Sequence, residues 1–132
     1  MTFTRIHNPT AAMAFTAWYV PVDQTRDEIV QELWHRLTYN PDETFMLAAY
    51  EGDFVHGIVV AYRRMEDVFI WQARSEDMTR EFVDLGLNGV IEWARSLGVK
   101  KIAATPNRAD KIWFRRWGFK AGQDSSEVVK EI

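Results

Sequence analysis

Half of the sixteen Lys and Arg residues in this chain fall between Arg95 and Lys120, where Asp110 is the only acid. A basic stretch of this kind can meet the phosphates of a cofactor, a nucleic acid or an acidic protein surface. It can equally be a solvated helix face with cations near helix C-termini. Nucleic-acid binding is the weakest of these, because the net charge is −3 and no nucleic-acid motif is present. Within the stretch, Pro106 to Phe119 reads as a short amphipathic helix, closed by Gly118-Phe119, that follows a buried strand. His7, His35 and His56 are scattered without metal-ligand spacing, so no metal is expected. Cysteine is absent, which excludes a thiolate nucleophile, a thiolate metal site and a disulfide framework.

These groups must be held by one compact domain spanning residues 1–132, since the length suits a single core and not two. The aromatic content of 14% in a domain this small is read first as core and interface. Phe15 to Val20 has the composition of a strand ending at Pro21. Thr25 and Glu28 make a capping box opening a helix to about Leu37, with Ile29, Val30, Leu33, Trp34 and Leu37 on one stripe. Three apolar runs, Phe45–Tyr50, Phe54–Tyr62 and Val68–Ala73, are separated by short polar turns and predict an antiparallel meander. The longest helix runs from about Met78 to Leu97, and its Gly86 and Gly89 predict close packing on the sheet. Gly98 ends it. The strand before Pro106 should then lie parallel to Val68–Ala73 through a right-handed crossover. Phe119–Ala121 and Glu127–Ile132 read as closing strands. No segment is long and apolar enough to span a bilayer, so the chain reads as soluble, with no membrane partner.

The order of elements, together with Asn107, Gly118 and Phe119 in register, resembles the Gcn5-related N-acetyltransferase (GNAT) superfamily over nearly the whole chain. A Gly in the third strand of that family is echoed by Gly57. The resemblance implies an α/β (α+β) fold, with a mixed, mostly antiparallel sheet flanked by helices, and acetyl-CoA as the cofactor. It also implies a phosphate loop between the fourth strand and the long helix, carrying Arg or Gln, two residues, Gly, one residue, then Gly or Ala. Glycine lets a backbone approach phosphates, and a helix start supplies unpaired N–H groups. Here residues 72–81 hold no glycine, and Glu76, Asp77 and Glu81 stand among them. Gln72, Ala73, Arg74 and Arg80 are the residues left to grip a cofactor, with Asn107 helping to hold its pantetheine arm.

The family's proton-donating Tyr falls at Phe114, which has no proton to give, leaving the catalytic group unassigned. Tyr50 and Tyr62 could replace the donor, and Glu66 or Asp67 could act as a base through water. Each also has a plainer role at a strand rim or turn. A degenerate GNAT follows, like some phage-encoded members, serving as a binding or structural module with little or no acetyl transfer. Its partner would be an unidentified protein or a second copy of itself. The alternative is an active acetyl-CoA-dependent N-acetyltransferase acting on an unidentified amine. Either would be cytoplasmic, or virion-associated if phage-encoded.

Overall fold

The computed structural model describes residues 1–19, 24–75, 80–108, 110–123 and 126–132, without the side chains of residues 17–19 and 24–25. The chain runs β1 (Thr2–Arg5), α1 (Pro9–Tyr19), α2 (Gln24–Tyr39), a short 3-10 turn at Pro41–Glu43, β2 (Thr44–Glu51), β3 (Phe54–Arg63) and β4 (Val68–Ser75). It continues through α3 (Arg80–Ser96), β5 (Lys101–Ala104), α4 (Lys111–Arg116), β6 (Lys120–Ala121) and β7 (Val128–Glu131). One sheet of seven strands results, ordered β1-β2-β3-β4-β5-β7-β6. The β4–β5 pair is parallel and the other five are antiparallel. The meander and the parallel β4–β5 pair are therefore as the order of apolar segments predicts, and the mixed, mostly antiparallel sheet is as the resemblance implies.

Strand alternation sorts the core onto two faces. Phe45, Val59 and Ala61 join Phe82, Val90 and Phe114 on the side of α3 and α4. Met46, Ile58 and Val60 join Ala12, Ile29 and Leu33 on the side of α1 and α2. A Cβ added at Gly86 would lie 3.2 Å from Val59, and one at Gly89 would lie 3.2 Å from Phe45, so both glycines face the sheet. Gly98 and Gly118, at φ of +79° and +94°, follow α3 and α4 in the left-handed conformation that suits glycine. Arg5 lays its guanidinium 4.2 Å above the Phe45 ring and donates to the Thr44 carbonyl. Burial pushes its pKa below the usual arginine value.

The N-terminal region departs from expectation. Phe15 to Tyr19 are helical, not extended, as the second half of α1. The cause is local: Asn8 Oδ1 accepts from the N–H groups of Thr10 and Ala11 at 2.8 and 3.2 Å, and Pro9 supplies a preset first helical residue. Thr16 is then fully buried and returns its hydroxyl to the Ala12 carbonyl at 2.8 Å. Val20 and Pro21, the end of the expected strand, lie outside the described residues. Thr25 falls inside α2 and not at its cap, because the helix already includes Gln24. Trp34 belongs to no core cluster. It is exposed, with its ring edge-on to Tyr39 at 6.4 Å.

Candidate functional site

β4 is longer than its parallel neighbour, and this difference makes the site. Pairing with β5 covers Val68, Phe69 and Ile70 and stops at Ala104, so residues 71–74 pair with no residue of β5. On the opposite side, Ala61 pairs with Ile70 and Val60 with Gln72, leaving Trp71 as a β-bulge. The two irregularities coincide. They open a cleft of about 370 Å³ between the end of β4 and the segment joining β5 to α4. An exposed strand edge of this kind offers N–H and C=O groups to any extended chain that enters.

Of the residues that sequence and resemblance singled out, Gln72, Ala73, Arg74, Asn107 and Phe114 line this cleft. Ala73 also lines the small apolar space under α3, beside Phe82 and Gly86. By alternation, Gln72 and Arg74 point to the other face of the sheet, and Arg74 Nε donates to Gln72 Oε1 at 3.0 Å. Asn107 spends its Oδ1 on the Asp110 N–H at 2.8 Å, which fixes the entry to α4. Phe114 is 7% exposed and packs its ring against Trp117 and Phe119, each at 5.1 Å. The cleft wall at position 114 is hydrocarbon.

Arg80 does not line the cleft. It opens α3 with its side chain 95% exposed, 3.6 Å from Asp84. Glu76 and Asp77, two of the acids among residues 72–81, lie outside the described residues. Glu66 and Asp67 border a different groove, with Lys101, Lys120 and Glu127. Asp67 takes both bonds of a bidentate pair with Arg64, at 2.7 and 2.6 Å, and Glu127 accepts a third at 2.6 Å. These bonds, Asp67 first, raise the Arg64 pKa above its usual value. A carboxylate so engaged is a structural clamp and not a free base. Tyr50 donates to or accepts from Thr4 at 3.3 Å near the sheet edge. Tyr62 carries the Arg36 guanidinium 3.6 Å above its ring and packs edge-on to Trp71 at 6.2 Å.

Asp110 is the residue that sequence reasoning passed over. Among the described residues that line the cleft it is the only acid, and Arg74 is the only base. It stands at the N-cap of α4 yet makes no side-chain capping bond: its backbone is already helical, at φ −85° and ψ −15°, and the Trp113 N–H goes to its carbonyl at 3.0 Å. The signal was present as the lone acid of the basic stretch, four residues before Phe114, one turn along the same helical face. No group of His, Asp and Glu able to hold a metal ion occurs among the described residues. No helix among them is long and apolar enough to cross a membrane.

No family model matches the chain, and no curated protein matches it in sequence. Solved structures do match in shape. A GNAT-family acetyltransferase from Staphylococcus aureus Mu50 superposes with a TM-score of 0.74 at 11% identity, over 98% of this chain and 99% of the other. Gcn5 from Tetrahymena gives 0.70 at 9% identity, over 100% and 96%. The PaiA N-acetyltransferase of Thermoplasma acidophilum, solved in complex with coenzyme A, gives 0.66 at 11% identity over the whole of both chains. Identities this low establish the fold, and the fold is that of the GNAT acetyltransferases.

Proposed function

We propose that this chain, folded as a Gcn5-related N-acetyltransferase, takes an acyl group from a pantetheine thioester lying in the β4–β5 cleft and passes it to an amine. The observation that carries this reading is the coincidence of the Trp71 bulge with the last β4–β5 rung at Ile70 and Ala104. A pantetheine arm is extended and bears amides, so it can complete the open edge of β4 as an added strand would. That the Thermoplasma protein of the same fold was solved with coenzyme A supports the assignment.

In the transfer, the amine nitrogen attacks the thioester carbonyl. A C–N bond forms, the C–S bond breaks, the nitrogen's proton passes to solvent, and the sulfur leaves as a thiolate that takes up a proton. An alkyl ammonium with a pKa of about 10.4 is ~3.4 units from its neutral form at pH 7, whereas a thiol near 8.5 is only ~1.5 units from thiolate. Freeing the amine therefore costs about 4.6 kcal/mol against about 2 kcal/mol for the leaving group. Phe114 forfeits help with the smaller of the two. Asp110, the only acid among the described lining residues, would relay that amine proton to solvent through water.

A second reading keeps the cleft as a binding module with little or no transfer. It is favoured by the buried, hydroxyl-free ring of Phe114. Titration with acetyl-pantetheine, followed by thiol release in the presence of a primary-amine panel, separates the two. Binding with thiol release supports acyl transfer, binding without it selects the module, and absence of binding removes both.

A further inference from the structure

We propose that the acyl donor is a thioester on the phosphopantetheine arm of an acidic carrier protein that docks on the outer face of α4. The proposal rests on the pantetheine reading of the cleft and specifies what lies at the far end of the arm.

Two halves of the molecule point in different directions if the donor is free coenzyme A. The half that would receive the arm is intact: β4 is bulged at Trp71, its residues 71–74 pair with no residue of β5, and the cleft is open. The half that would grip a diphosphate is poor. Residues 72–81 supply no glycine for backbone approach and include three acids in sequence. Of the arginines there, Arg80 points into solvent beside Asp84, and Arg74 is turned to Gln72 on the sheet face away from α3. A donor whose affinity comes from elsewhere resolves the conflict.

The other source of affinity is on the helix that walls the cleft. α4 turns Phe114 inward, and Asp110 and Asn107 line the mouth just before it. Its opposite side exposes Ile112 at 53% and Trp113 at 41%, with the Arg116 guanidinium 5.0 Å above the Trp113 ring. Arg108, Arg115 and Arg116 are exposed, and none of them ion-pairs with a described residue. An apolar centre rimmed by cations that ion-pair with no described residue, on a chain of net charge −3, is complementary to an acidic protein surface with an apolar contact of its own. A partner seated there holds its arm beside the cleft mouth. A nucleic acid would meet the same cations but brings no thioester.

The test compares three donors in the same thiol-release assay with primary amines: acetyl-CoA, acetyl-pantetheine, and acetyl-phosphopantetheine on an acidic acyl carrier protein. The carrier-borne thioester is expected to show a kcat/KM about tenfold or more above acetyl-CoA at low salt, with the advantage shrinking as salt is added. Arg115→Glu combined with Arg116→Glu should remove that advantage and leave acetyl-pantetheine turnover unchanged, which also shows that the variant is folded. The salt series on the unmodified chain gives the same discrimination without mutation. Equal or better use of acetyl-CoA overturns the proposal, as does carrier use indifferent to charge reversal. Saturable binding of a single-stranded RNA oligonucleotide that charge reversal abolishes, without carrier preference, overturns it as well. If acetyl-pantetheine and acetyl-CoA are consumed and the carrier is not, this inference fails while the cleft reading stands. If none of the three binds, both fail.

Discussion

Ile70 and Ala104 form the last rung between β4 and β5, and residues 71–74 pair with no residue of β5. The next residue, Trp71, is also the one that β3 skips. A strand interrupted on both sides at one point cannot be explained by sheet propensity, because each lost ladder bond leaves polar groups to be satisfied by something else. In the proposed reading, the extended donor arm supplies those partners.

Gly57 couples the core to this site. A Cβ there would meet Phe82 Cε2 at 2.6 Å and the Arg74 carbonyl oxygen at 2.8 Å. The ring can move, but the carbonyl belongs to the strand that borders the cleft. Gly57→Ala should cost about 1–3 kcal/mol in overpacking and also weaken donor binding. An unchanged melting midpoint would contradict the packing.

Asn8→Ala should destabilise the chain by about 0.5–2 kcal/mol, since it removes the acceptor for two N–H groups at the start of α1. Thermal unfolding measures this. No change in midpoint would mean that Pro9 alone sets the helix.

How much of this was legible before the structure depends on which bonds define it. The meander, the crossover and the sheet-facing Gly86 and Gly89 follow from apolar periodicity, which each segment carries within itself. α1 was misread because Phe15, Thr16, Trp18, Tyr19 and Val20 have strand composition, while the decisive Asn8-Pro9 signal lies seven residues earlier. Gln72, Ala73, Arg74, Asn107 and Phe114 do converge on one cleft, and Arg80 does not. The bulge at Trp71 was invisible because it is a relation among three strands, not a property of any one. Asp110 was hidden among cations, where an acid reads as charge balance.

Arg64→Gln should lower stability by about 1 kcal/mol, a modest figure because the clamp is partly solvated. The sign with pH follows from the shift. The Arg64 pKa is raised in the folded state, so its contribution is complete below the unfolded arginine value and is lost only as pH rises through the folded one. The loss on substitution should therefore be the same at pH 6 and pH 8. A loss confined to one of them would contradict this account of the clamp.

Phe114→Tyr should raise the rate at saturating donor about tenfold or more, by restoring a proton donor on the cleft wall, while leaving donor affinity unchanged. Single-turnover thiol release reads the rate and calorimetry reads the affinity. A tighter complex with no gain in rate would place the hydroxyl away from the sulfur.

The central claim is that the β4–β5 cleft holds a pantetheine thioester. The most direct measurement is a titration of the isotope-labelled chain with acetyl-pantetheine, followed by backbone amide chemical shifts. Saturable shifts concentrated at residues 71–74 and 105–107 are predicted, with the strands on either side little changed. Shifts elsewhere, or none up to millimolar ligand, would contradict it.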